Sequence, residues 1–347
     1  MKTCTLFGAG DLRIIDQPEA DEPLGANEVR IRARMGGICG SDLHYFHEGR
    51  VGNFAVREPL VLGHEVSGEV EQIGASVSRV RVGQRVAVNP SLPCNGCDFC
   101  LQGMGNQCRN MRFFGSAALT PHVQGVFKQA LRVPESQCVP VPDDLDFSLA
   151  AMGEPLAVAL HAVQRAMPIT GRRVLISGAG PIGCLVVLAA RHAGAAHITV
   201  TDLMDAPLAM AARVGADQTL HVANDADLLR AYGEGKGHFD AVIECSGAVM
   251  AMQSAVSLAR AGGVIVQVGF PPVGDQTFPI NTALVKEIEY RGSFRFHPEF
   301  EWAIDFIARG KIDVTPLLTA TFPIGEAVQA FEAATDRSRH MKVQLEL

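Results

Sequence analysis

Four cysteines stand close together in the run PSLPCNGCDFCLQGMGNQC, as Cys94, Cys97, Cys100 and Cys108. Four thiolates in one compact loop can close a tetrahedron around zinc and leave no coordination position open. Such a site clamps a loop and cannot activate a substrate, so metal chemistry would need a second position. Residues able to form one are scattered. GGICGSDLH supplies Cys39, Ser41 and His44, VLGHEVSGEV supplies His64 and Glu65, and AAMGEPLAVALHA supplies Glu154. Cys39, His64 and a carboxylate would offer zinc three ligands and leave one place for an alcohol or water. Taken singly, each has a plain structural alternative: a small core thiol, a hydrogen-bonded histidine, a carboxylate at a helix start. Their spacing alone does not bring them together.

A second kind of chemistry is written in VLISGAGPIG, where Gly178, Gly180 and Gly183 follow an apolar β-branched run and precede the helical CLVVLAARHAG. In that context the first glycine allows a tight turn, the second lets backbone approach a pyrophosphate, and the third lets helix and strand pack closely. The helix N-terminus then faces the phosphates. Asp202 ends the next apolar run, where a carboxylate would accept hydrogen bonds from adenosine ribose hydroxyls and repel a 2′-phosphate. NAD is therefore expected ahead of NADP, with Asp202 as a simple turn cap the alternative.

The elements that must position these residues fall into two textures. From residue 27 to about 140 short alternating runs (VRIRARM, SGEVEQIG, QRVAV) are punctuated by Gly, Pro and Asn, which reads as strands and loops. From about 155, RRVLIS, HITVTD, QTLHV, FDAVIEC, GGVIVQVG and IEYRGSF alternate with helical segments and predict six strands of a doubly wound parallel sheet. PEFEWAIDFIARG and IGEAVQAFEAA then read as helices and MKVQLEL as a closing strand packing back on the first half. The expected division is 1–150, 151–290 and 291–347, the last completing the first.

At 347 residues the chain suits two domains, and 48% hydrophobic with 19% charged residues excludes disordered and fibrous classes. A formal net charge of -7 without a basic cluster argues against nucleic acid and for a small-molecule partner. No apolar run is long enough to span a bilayer, which predicts no membrane partner. The N-terminal MKTCTLFGAGDLRIID lacks a charged segment followed by an apolar one, so the cytoplasm is the expected compartment. Nine cysteines in such a chain favour thiolate ligands over disulfides.

GGICGSDLHYFHEGRVGNFAVREPLVLGHEVSGEV, the four-cysteine loop, GAGPIG and VTDL together resemble the zinc-dependent medium-chain alcohol and polyol dehydrogenases, over essentially the whole chain. The resemblance implies a Rossmann domain, a doubly wound parallel sheet of α/β class, beside a mostly β GroES-like catalytic domain. It implies a catalytic zinc on Cys39, His64 and Glu65 or Glu154, and a structural zinc on the four-cysteine loop. Glu154 is also implied as a holder of metal-bound water, and Ser41 and His44 as a proton relay to solvent. Ile182, Val268, Gly269, Phe270, Phe294 and Arg295 would line the cofactor, and Tyr45 and Arg295 the substrate. YFHEGRVGNF, NQCRNMRFFGSAALTPHVQG and EYRGSFRF resemble the branch that oxidises the sugar acid L-idonate, with a neutral polyol such as sorbitol or xylitol the alternative. Homodimers or homotetramers are implied as well. One departure is Pro207, where family members often carry a basic residue flanking the adenine.

Overall fold

The computed structural model describes residues 1–18 and 22–347. The alternation in VRIRARM becomes the strand Glu28–Gly37, which pairs antiparallel with Glu65–Ile73 so that Val29 faces Ile73 and Gly37 faces Glu65. Around this pair a seven-stranded sheet forms in the order Cys138–Pro140, Arg85–Val88, Glu65–Ile73, Glu28–Gly37, Lys342–Glu346, Leu318–Pro323, with Ala130–Pro134 also on Glu28–Gly37. Its core gathers Val29, Ile31, Leu62, Phe127 and Phe331. The closing strand expected from MKVQLEL is thus placed in the first half, with Gln344 opposite Gly37.

The region 39–48, expected as strand and loop, holds the helix Gly40–Glu48 instead. Cys39 caps it, and Asp42 reaches back to the Cys39 N–H at 3.0 Å. This acid three residues after the cap satisfies a donor that the helix cannot. It was the local signal for a helix that strand periodicity concealed.

All six strands expected after residue 170 are present and pair in parallel, as Gln218–His221, His197–Asp202, Arg173–Ser177, Phe239–Glu244, Ala259–Gln267 and Glu289–Gly292. The order reverses between Arg173–Ser177 and Phe239–Glu244, and that switch point opens the crevice in which such sheets bind ligands. Gly178 stands there at φ 95° with Ser246 against it, a conformation a side chain would strain.

The tail divides its packing. Phe296, Phe300, Ile304 and Ile307 join the core of the helices Gly153–Ala166 and Pro181–His192, whereas Leu318–Pro323 and Lys342–Glu346 return to the first sheet. Both halves are tied together by this chain end. No helix among the described residues is long and apolar enough to cross a membrane.

At Gly183 an added methyl would collide with the carbonyl of Gly178. Gly183→Ala is expected to cost about 1–3 kcal/mol of stability by overpacking and to weaken NADH binding, checked by thermal melting and nicotinamide fluorescence.

Candidate active site and metal centres

The paired strands Glu28–Gly37 and Glu65–Ile73 end side by side, so Cys39, two residues past Gly37, meets His64 and Glu65 at the start of the neighbouring strand. A sulfur, a ring nitrogen and a carboxylate oxygen from these three lie within 4.8 Å of one another. His64 and Glu65 are buried. This donor set, one soft thiolate with imidazole and carboxylate, fits zinc held by three protein ligands.

Other side chains hold the set in place. Asp42 accepts hydrogen bonds from the N–H groups of Cys39 and Gly63, both at 3.0 Å, and its Oδ1 lies 3.8 Å from His64 Nδ1. Burial pushes the Asp42 carboxyl up, against the pull of His64. Burial opposes the His64 cation, but Asp42 and Cys39 outweigh it and hold its pKa well above the ordinary value. Lys342, buried in the closing strand, reaches Glu65 at 2.5 Å and donates to the carbonyl of Ile38 at 3.0 Å. Desolvation works against its charge, yet Glu65 keeps the ammonium pKa raised. Glu65 Oε2 nonetheless has no well-aligned hydrogen bond, leaving lone-pair capacity in a buried site.

Glu154 begins the helix Gly153–Ala166 on the other half of the molecule and is buried. It stays outside the three-residue set, so the direct-ligand role considered for it corresponds to no cluster here. The reason is topological: Glu65 is carried by the strand that places His64, and Glu154 by a separate element. Burial pushes its carboxyl up to about 7, with His64 pulling the other way. It thus faces the same charges without joining the set.

Ser41 and His44 share the helix Gly40–Glu48, three residues apart and therefore on one face. Ser41 is half-buried, while His44 is exposed and its Nδ1 lies 2.9 Å from Glu48 Oε1. Tyr45 is buried, and its hydroxyl oxygen accepts from the Ala117 N–H at 3.0 Å.

Arg295 is half-buried at φ 56°, with its guanidinium 4.3 Å from the ring centre of Phe113 and 4.8 Å from that of Phe294. Phe113 in turn packs on His64 with ring centres 5.5 Å apart, which ties Arg295 to the metal set. Among the described residues the guanidinium has no ion pair and donates no hydrogen bond. Burial pulls its pKa down to about 10, against the charges of Glu154 and Tyr45. Positive φ at a non-glycine residue marks a backbone held by its surroundings, as functional sites often do.

In the four-cysteine loop all four sulfurs lie within 4.8 Å of one another, and none is in a disulfide. N–H groups point at them: those of Cys94 and Asn110 at Cys108 Sγ, at 3.2 and 3.3 Å, and the Asn110 side chain at Cys94 Sγ, at 3.5 Å. Such donors, with Gly96 foremost, draw the Cys94 thiol down to about 6. The cluster fits a thiolate-bound cation with a closed shell.

At the switch point Gly180 caps the helix Pro181–His192 with Pro181 in its first turn, and Ile182 and Gly183 follow. Asp202, buried at its strand end, accepts from the N–H groups of Ala179, Leu203 and Met204 and from Arg337. It therefore caps the turn and also faces the glycine loop. Val268, Gly269, Phe270 and Phe294 share the wall of a cavity of about 670 Å³ with residues of the four-cysteine loop, including Asn106. Sequence reasoning had passed over Asp42, Lys342 and Arg337. Of these only Asp42 left a local signal, its place three residues after a helix cap.

Residues 25–143 match the alcohol dehydrogenase GroES-like domain and residues 181–309 the zinc-binding dehydrogenase domain. An L-idonate 5-dehydrogenase (NAD(P)(+)) of Escherichia coli K12 is 45% identical over 92% of this chain and 92% of its own. The chain belongs to the zinc-dependent medium-chain dehydrogenase family. It is an oxidoreductase of the alcohol dehydrogenase type. A sorbitol dehydrogenase of Gallus gallus is 38% identical over 97% of this chain and 94% of its own. The crystal structure of L-idonate 5-dehydrogenase from Escherichia coli K-12 superimposes with a TM-score of 0.91 at 41% identity, covering 100% of this chain and 98% of that one. The two-part fold expected for this family, a GroES-like part beside a Rossmann sheet, is the one observed.

A methyl at Gly37 would collide with Glu65 Oε2 and crowd Lys342. Gly37→Ala is expected to displace Glu65 and lose one zinc equivalent per chain along with turnover, while NADH binding stays within about threefold, as independent sites allow. Metal content by mass spectrometry and fluorescence titration check this.

Proposed function

We propose that this chain oxidises a secondary hydroxyl of a sugar acid, L-idonate at C5 giving 5-ketogluconate, reversibly, with NAD(P) as hydride acceptor. Arg295 carries the reading. A cation packed on two aromatic rings, with no acceptor among the described residues and tied through Phe113 to the metal set, suits a carboxylate that arrives with the substrate. The 45% identity to an enzyme named for L-idonate supports the same choice over the 38% relatives named for sorbitol.

Cys39, His64 and Glu65 would hold the catalytic zinc, and Cys94, Cys97, Cys100 and Cys108 the structural one. Zinc, when bound, supplies Lewis acidity that lowers the pKa of an alcohol. Asp42 and Lys342 hold His64 and Glu65 in place, and Glu154 lends a second buried carboxyl facing the metal set. Ser41 passes the alcohol proton along its helix face to His44, whose exposed ring releases it to water. Tyr45, fixed through Ala117, helps position the hydroxyls. Gly178, Gly180, Ile182 and Gly183 seat the dinucleotide phosphates and Asp202 the ribose; Val268, Gly269, Phe270 and Phe294 line its nicotinamide half. The enzyme acts in the cytoplasm.

A homo-oligomer completes the proposal. Glu289–Gly292 is an open edge of the parallel sheet, and Met250, Ile280, Leu284 and Val285 expose apolar surface. An uncovered edge beside such residues suits a second copy of the chain.

Two outcomes test the chemistry. Cys39→Ala is expected to abolish turnover and keep NADH binding, whereas Cys97→Ala loses thermal stability first, because a closed thiolate shell contributes folding energy. Arg295→Ala is expected to raise KM for L-idonate roughly 10- to 100-fold, the value of a lost charged hydrogen bond, and to change sorbitol and xylitol kinetics little. Initial rates with L-idonate, gluconate, sorbitol and xylitol decide; a wild-type preference for neutral polyols would overturn the sugar-acid assignment.

A further inference from the structure

Arg337 lies in the turn after the helix Ala327–Thr335, far along the chain from the dinucleotide motif. Its Nη2 donates to Asp202 Oδ2 at 2.9 Å and lies 3.9 Å from where a Cβ on Gly180 would stand. The guanidinium therefore sits over the glycine loop, on the side from which a dinucleotide would approach. Its side chain is 46% exposed, while that of Asp202 is 6% exposed. The pair thus joins a buried carboxylate to a cation that still meets solvent.

The occupancy of Asp202 sharpens the point. Oδ1 accepts from the Leu203 and Met204 N–H groups, and Oδ2 from Ala179 and Arg337. Three of these donors are backbone and fixed by the turn. Arg337 is the only one on a movable side chain. A carboxylate has about four lone-pair sites, so a ribose hydroxyl that binds Asp202 must share or replace the Arg337 bond. A 2′-phosphate instead meets a guanidinium already beside the carboxylate that would repel it. The segment Leu203–Pro207 after Asp202 contains no Lys or Arg, so it offers no competing side-chain cation for that phosphate.

We infer that Arg337 is a cofactor-selectivity residue, letting the chain accept a 2′-phosphorylated dinucleotide despite Asp202. It offsets the Asp202 charge and offers a fork of donors to the phosphate, while NAD needs only that the guanidinium step aside. The inference rests on Asp202 reading the adenosine ribose.

The test is binding rather than turnover. NADH and NADPH are titrated into zinc-loaded wild-type protein, Arg337→Ala and Arg337→Lys by nicotinamide fluorescence, with 2′,5′-ADP and 5′-ADP as competitors. The wild type is expected to bind both dinucleotides. Arg337→Ala should raise Kd for NADPH and 2′,5′-ADP about 10-fold or more and leave NADH and 5′-ADP within about threefold, as the loss of a charged hydrogen bond implies. Arg337→Lys, which keeps the charge without the fork, should fall between. Equal losses for NADH and NADPH in Arg337→Ala, no change in either, or a wild type that binds NADH and excludes NADPH would each overturn the inference. A wild type that binds neither would overturn the dinucleotide reading of Asp202, and this inference with it.

Discussion

Glu65 lies opposite Gly37 in one antiparallel ladder, and Gly37 lies opposite Gln344 in the next. That register brings Cys39, His64, Glu65 and Lys342 to one end of the same sheet. A slip of one residue would turn Glu65 to the other face and separate it from the rest. The register is held by the apolar faces of the flanking strands, with Val29, Ile31 and Val66 in the core, and by the close approach that glycine at position 37 permits. The candidate catalytic cluster is thus a consequence of strand pairing, and the helix that follows Cys39 brings Ser41 and His44, the proposed relay, to the same corner.

The electrostatics of that corner point in one direction. Asp42, Glu65 and Glu154 are buried close to one another, with Lys342 the buried cation against them and His64 drawn toward its protonated form. Buried carboxylates at this density are costly unless paired, and Glu65 Oε2 is left without a well-aligned donor. A divalent cation on Cys39, His64 and Glu65 would offset that excess and oppose the upward pull that burial exerts on Glu154. The four-cysteine loop presents the contrasting case. Its sulfurs are lined by N–H donors and face one another, so the cation it fits would be enclosed, and its contribution lies in holding a loop.

The chain end matters as much as the motifs. After the parallel sheet is complete it passes through Arg295, packs the helix Glu299–Ala308 on the helix of Glu154, and then returns to the first sheet with Lys342. On the way Arg337 reaches Asp202, and Thr335 meets His47 of the helix that carries Ser41 and His44, at 2.9 Å. The candidate substrate, metal and cofactor residues on the two halves are therefore braced by one segment. Motion between the halves would have to break or carry these contacts.

Local sequence determined the parts whose physics is local. The cysteine spacing names a thiolate cluster, because four ligands in fifteen residues need only a loop to close. The apolar β-branched runs of the inner strands after residue 170 and the glycine motif specify the parallel sheet and its glycine turn, since buried strands and helix-start glycines have strong compositional signals. Whole-chain resemblance suggested the scattered candidate metal set, which spacing alone could not assemble. Tertiary structure decided the rest. It put a Glu65 oxygen, rather than one of Glu154, into the compact set with Cys39 and His64, because ladder register, invisible in composition, aligns Glu65 with the strand end that carries Cys39. It also placed Asp42, Lys342 and Arg337 against their partners. For Lys342 and Arg337 those partners are 277 and 135 residues distant, and contacts at that range leave no periodicity in the sequence to read.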